Sequence, residues 1–126
     1  MEIDDPVNVL STPLGPCSDA PRTGFFRDGH CNTCAADTGS HTVCAVVTDE
    51  FLALSKYLGN DLSTPRPEYG FPGLSAGDRW CLCAARFLQA AAEDCAPRVV
   101  LSATHAKALE VVPMEVLERH ALRGEG

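Results

Sequence analysis

The chain predicts an α+β domain, a compact two-layer sandwich in which a small mixed sheet is backed by about three helices and joined by long ordered loops. Three observations carry this. The β-branched, mostly apolar run His41–Val47 leads straight into a capped helical pattern. A second strand-and-helix pair follows at Arg79–Asp94, and strands and helices then alternate too irregularly for a doubly wound sheet. The stretch from Asn60 to Cys83 holds about twenty residues with neither a helical nor a strand period and ends in two cysteines one residue apart; loops of that length are usually functional or disordered, and this one is too aromatic and proline-stiffened to be a solvated linker.

Element by element, residues 7–39 carry turn signals around short apolar pieces and predict loops with one or two short strands. His41–Val47 predicts a strand buried on both faces. Thr48 then suits an N-cap, Asp49 and Glu50 favour the positive end of the helix dipole, Phe51, Leu54 and Leu58 form one stripe, and Gly59 supplies the stop. Arg79–Cys83 predicts a short strand running into an alanine-rich helix from Ala84 to Asp94 with Phe87, Leu88 and Ala91 on its core face, and Pro97 bars continuation. Arg98–Ala103 predicts another strand. Thr104 opens a short helical turn through Leu109, and Pro113 begins a last helix ending near His120, with Arg119, His120 and Arg123 at its negative end.

At 126 residues the chain is expected to form one domain, 1–126, with its core over about 7–122 and short flexible termini, and to bury roughly two thirds of its unfolded surface. Its apolar fraction of 45% and charged fraction of 21% are those of a globular protein. A formal charge of −7, with scattered Arg and Lys, argues against nucleic acid as partner. The start Met1–Asp5 is acidic where a secretory signal would be basic, and no apolar run approaches a membrane span, so a soluble cytoplasmic protein without a membrane partner is expected. In that compartment the seven cysteines would be reduced, and an odd number would strand a thiol even on full oxidation. A disulfide framework is therefore not expected.

The cysteines nevertheless carry the sharpest local geometry. On a strand, Cys81 and Cys83 point to the same face and Leu82 to the other. Two adjacent thiols suit a soft metal such as zinc, a disulfide relay, or a nucleophile with its resolving partner; they also suit plain packing. Cys31 and Cys34 have the C-x-x-C spacing of a zinc knuckle, to which Cys81 and Cys83 would add two ligands, with His41 or Cys44 able to substitute. Cys44 and Cys95 read as core, and Cys17 is undetermined. For nucleophilic catalysis, Cys81 or Cys83 would need a base, and His105, after a strand and at a turn, is the best candidate. It equally suits a capping or surface role; His30 and His120 read as loop and surface residues.

The long loop holds Arg66, Glu68, Asp78 and Arg79 interleaved with Tyr69, Phe71 and Trp80. Arginine beside aromatic rings suits a planar or carboxylate-bearing small molecule. The alternative is an internal ion-pair network joining Arg66 or Arg79 to Asp78 or Glu68. Pro65, Pro67 and Pro72 stiffen the loop in either case.

The runs SHTVCAVVTDEFL, GNDLSTPRPEYGFPGL, GDRWCLCA and LSATHAKALEVVP together resemble the bacterial family catalogued as domain of unknown function 2237, over nearly the whole chain. The resemblance implies a single small α+β domain with no assigned activity, cofactor or partner. It also implies that a metal or thiol centre would draw on Cys17, Cys31, Cys44, Cys81 and Cys83, because Cys34 and Cys95 depart from the family pattern. Tyr69, Gly73, Asp78, Arg79, Trp80 and His105 lie within matched motifs without assigned roles. Three readings stand side by side: a module binding a soft metal or small ligand, with Cys31, Cys44, Cys81 and Cys83 as ligands; a thiol enzyme using Cys81 or Cys83 with His105, and Arg79 holding an anionic substrate; and an interaction module whose cysteines only pack.

Overall fold

β1 (His41–Val46) is the centre of the molecule, as its unbroken apolar, β-branched composition requires. It pairs antiparallel with β2 (Arg79–Cys83) on one side and β3 (Arg98–Val99) on the other, in the order β2-β1-β3. The computed structural model describes residues 6–20 and 22–122; Met1–Asp5 and Arg123 lie outside the described residues. The sheet expected to be mixed is antiparallel through all three strands, and a parallel bridge joins Val99 to Ala121 beside it.

Strand alternation sorts the sheet into two faces. Val43, Ala45, Trp80, Leu82 and Val99 join the main apolar core, and their neighbours Cys44 and Cys81, directly paired across the strands, join a second, sulfur-rich cluster. The helices supply the rest of the main core. α1 (Asp49–Tyr57) starts where expected, with Thr48 Oγ1 accepting from the Phe51 N–H at 3.1 Å. It buries Phe51, Leu52 and Ser55 rather than a stripe through Leu58. α2 (Ala84–Ala92) buries Ala84, Phe87 and Ala90, so its inner face is rotated from the expected one and Leu88 is exposed. α3 (Met114–Arg119) begins after Pro113 and buries Leu117. Each fully buried Phe or Leu here contributes about 1.5–3 kcal/mol.

The C-terminal third departs most from its local pattern. The strand expected over Arg98–Ala103 stops at Val99, and Leu101–Ala103 coils into a 3-10 turn. Thr104 does not open a helical turn but closes the one before it, as the C-cap of Leu101–Ala103. Its hydroxyl donates to the Val100 carbonyl at 2.9 Å and accepts from the Cys44 N–H at 3.1 Å, which draws this segment onto β1. His105 caps the next 3-10 turn, Ala106–Glu110, by accepting from the Lys107 N–H. His120, expected at the surface, is half-buried and packs edge-on against Phe87 at 5.7 Å.

Of the strands expected before Gly39, only isolated bridges form among the described residues. This segment is held by side-chain clasps instead. Buried Asn8 donates to Thr12, Pro13 and Ser102 and accepts from the Leu10 and Thr12 N–H groups. Further on, buried Thr23 accepts from the Cys81 N–H at 2.8 Å, fastening the loop to the outer edge of β2. Gly24 makes this approach possible: its φ is +105°, and a Cβ there would lie 2.3 Å from the His30 carbonyl oxygen.

Candidate metal centre and the cleft beside it

Four cysteines from four separate segments meet under the loop-covered face of the sheet. Cys44 from β1 and Cys81 from β2 are brought level by the strand register, and the fastened loop delivers Cys17 and Cys31 above them. They form two disulfides, Cys17–Cys44 and Cys31–Cys81. This overturns the expectation of reduced, unpaired cysteines. That expectation rested on compartment and on an odd count, neither of which says which thiols the fold places side by side. All four are buried, and the sulfurs of Cys17, Cys31 and Cys81 lie within 4.8 Å of one another. Two buried threonines satisfy the peptide N–H groups of the sheet cysteines, Thr104 for Cys44 and Thr23 for Cys81, so the centre has ordered backbone beneath it.

The remaining cysteines stand apart as free thiols: Cys34 exposed, Cys83 and Cys95 half-buried. The Cys31/Cys34 knuckle is therefore not formed. Cys83, expected to share the site with Cys81, lies opposite His41 at the irregular end of the β1–β2 pairing, where the chain turns into α2 and Cys83 takes the N-cap position. Cys17 occupies the place in the cluster that Cys83 was expected to fill. Cys81, as half of a disulfide, carries no thiol here. His105 Nδ1 is engaged by the Lys107 N–H, and burial, with Lys107 nearby, lowers its pKa from the ordinary histidine value.

An Asp–His pair adjoins the sulfur centre. Asp37 is wholly enclosed; it accepts from His41 Nδ1 at 2.6 Å, from the His41 N–H at 2.9 Å and from the Thr33 hydroxyl at 2.9 Å. Burial pushes its pKa up, and these hydrogen bonds outweigh that and hold it below the ordinary carboxylate value. Asp37 thereby keeps the His41 proton on Nδ1 and leaves Nε2 available. The His41 ring stacks near Phe25, centroids 6.4 Å apart, and with Gly24, Arg27, Trp80 and Cys81 lines a cleft of about 150 Å³.

The long loop is ordered without the ion-pair network. Among the described residues neither Arg66 nor Arg79 pairs with Asp78 or Glu68. Instead Leu62 and Leu74 are buried and joined by a backbone bond, Arg66 and Phe71 pair through two, and Asp78 accepts from the Ser75 N–H. Gly73, at φ +81°, lets the strands of the loop close, since a Cβ would lie 2.5 Å from the Ser63 carbonyl. Of the residues expected to bind a ligand, Arg66, Tyr69 and Trp80 line a second cleft of about 200 Å³ with Arg27, Leu62 and Phe71. Glu68 is exposed in the 3-10 turn Pro67–Tyr69, Asp78 closes its turn, and Arg79 sits in register with Val46. A larger cleft, about 390 Å³, lies elsewhere around Thr48, Asp94, Cys95 and His120.

Sequence reasoning missed three residues of this region. Asp37 is a single acidic residue in a turn, and only its spacing four before His41 hints at the pair. Arg27 sits in the run Gly24-Phe-Phe-Arg-Asp-Gly29, two aromatics and a cation between turn glycines, which is the same composition that singled out the long loop. Thr23 carried no signal.

The chain belongs to the family described as uncharacterized proteins conserved in bacteria (DUF2237), whose sequence pattern it matches over residues 7–121. No curated protein matches it.

Proposed function

We propose that this family member is a cytoplasmic soft-metal-binding module, whose reduced form holds one zinc ion through Cys17, Cys31, Cys44 and Cys81. The observation that carries this reading is the convergence of the three sulfurs within 4.8 Å of one another, with the fourth bonded to Cys17. A tetrahedral four-thiolate site has Zn–S distances of about 2.3 Å and so needs sulfurs roughly 3.8 Å apart, which requires both S–S bonds to open and the Cys44 sulfur, outside the group of three, to move toward the others. The site is buried, and four thiolates would fill a tetrahedral shell and leave no position for water. That is the character of a structural or storage site rather than a hydrolytic one.

The two disulfides are the oxidised form of the same site. Two equivalents of a dithiol reductant supply four electrons and four protons, opening both S–S bonds to four thiols. One Zn²⁺ then displaces the four protons. In a reducing cytoplasm the thiol form is the one that meets metal.

The test is native mass spectrometry of the full-length protein, reduced and offered zinc. One zinc per chain, lost on acidification and absent from the oxidised protein and from the Cys31→Ser/Cys81→Ser variant, is the expected result. A folded, reduced protein with all seven thiols free and no bound metal would overturn the reading.

A further inference from the structure

The cleft on the outer side of Trp80 has a composition that the sulfur centre does not explain. Its floor is apolar and aromatic: Trp80 lies against Phe71 with ring centroids 5.1 Å apart, and Leu62 is buried beside them. Tyr69 forms an exposed wall, at 74% of its free surface. Two arginines border this floor. Arg27 lies across the Trp80 ring, 5.2 Å from its centroid, and Arg66 lines the same cleft. Among the described residues neither is paired with a carboxylate, although the chain carries 17 acidic residues against 10 basic ones. Two arginines without a carboxylate partner, set beside a buried aromatic floor and the exposed Tyr69 ring, favour an anion locally against the sign of the net charge.

We infer that this cleft is a binding site for a small planar anion, an aromatic carboxylate of one ring. Size, shape and charge each narrow the class. A volume of about 200 Å³ falls below the roughly 300–1,000 Å³ of sites for drug-sized ligands, so it holds a single ring system. The exposed face of the Tyr69 ring favours a planar partner by offset stacking. The cleft surface is almost wholly apolar, and the charged residues that line it are the two arginines, whose planar forks match the two in-plane oxygens of a carboxylate better than the three-cornered face of a phosphate. The site is also built in advance of its ligand. Pro65, Pro67 and Pro72 and the Arg66–Phe71 backbone pair hold one wall, and Arg27 is held in the left-handed region, φ +55°, by its N–H bond to the Gly24 carbonyl. That conformation is unfavourable for a residue with a side chain, and it occurs in the residue whose guanidinium lies over the indole. Trp80 and Arg27 also line the cleft that reaches His41 and Cys81, so an occupant of this site would abut the sulfur centre.

Trp80 is the only tryptophan in the chain, so its indole N–H gives one resonance that reports on the site. The experiment is a titration of the full-length oxidised protein, which involves no metal, with cinnamate and separately with cinnamyl alcohol, followed by ¹H–¹⁵N spectra. Cinnamate is expected to shift the indole signal saturably, with the alcohol binding at least about tenfold more weakly, as loss of one charge-assisted contact of about 1.4 kcal/mol would give. Arg27→Gln and, separately, Arg66→Gln are expected to weaken cinnamate by a similar factor while the rest of the spectrum is unchanged. Because both side chains are exposed, these variants should fold. No saturable shift, or equal binding of acid and alcohol, would overturn the inference, and neither result would bear on whether the reduced cysteines take zinc.

Discussion

The two faces of the sheet are built by different means. On one, Val43, Ala45 and Leu82 meet Phe51, Phe87 and Leu117 from three helices, and cohesion comes from burial of large apolar side chains. On the other, Cys44 and Cys81 meet Cys17 and Cys31 from coil, and cohesion comes from covalent bonds and from single hydrogen bonds donated to threonine hydroxyls. The first face needs only the right residue types at the right period. The second has little apolar volume and no regular element to carry it, so its order depends on specific bonds whose formation follows redox state. A protein that keeps its stability on one face can leave the other free to change chemistry.

The sharpest way to break this comparison is to hollow out the helical face. Phe87→Ala should cost about 3–5 kcal/mol by denaturant unfolding, and the same amount in oxidised and reduced protein. A penalty that grew on reduction would show that the two faces are one unit rather than two.

The sulfur face should behave in the opposite way. Cys31→Ser/Cys81→Ser removes the bridge that spans 50 residues of sequence and should lower the stability of the oxidised protein by roughly 2–4 kcal/mol. Reducing the wild-type protein should produce a loss of the same kind, and zinc should restore it in the wild type and not in the variant. Thermal unfolding with and without zinc measures both.

The smallest effect expected is at Asp37, which tests whether the Asp37–His41 pair orders the loop beside the sulfur centre. Asp37→Asn should cost about 1.5–3 kcal/mol at neutral pH, as for a hydrogen bond to a charged group. The sign of its pH dependence follows from the lowered pKa: the contribution is fully present above the ordinary value of 3.8 and is lost as pH falls through the lower folded value. Wild type and variant should therefore converge in urea midpoint at strongly acid pH. A constant difference across the range would mean that the carboxylate's charge contributes nothing there.

What was legible in the sequence follows the same division. Thr48 as cap, β1 and the strand-to-helix junction at Cys83 and Ala84 were readable because each depends on neighbours within a few residues. The long loop was visible as a built feature, and Arg66, Tyr69 and Trp80 do share a cleft. The inner face of α2 was misread by a fraction of a turn, because Leu88 and Ala90 are both apolar and only contact with the sheet chooses between them. The strand expected through Ala103 was shortened because Thr104 bonds to Val100 and Cys44, a contact across 60 residues that no local pattern reports.

By itself, then, the sequence determined the class of fold, the central strand, the three helices and the stock of thiols, arginines and aromatic rings, since periodicity, capping and composition act over short distances along the chain. Only the tertiary structure decided which thiols meet, that Cys17 rather than Cys83 joins Cys31, Cys44 and Cys81, and that Arg27 lies on Trp80. Those choices depend on how a loop with no period of its own is fastened over a sheet, through Thr23, Gly24 and Asn8. The bonds that fasten it join residues far apart in the chain, and their partners exist only once the sheet has formed.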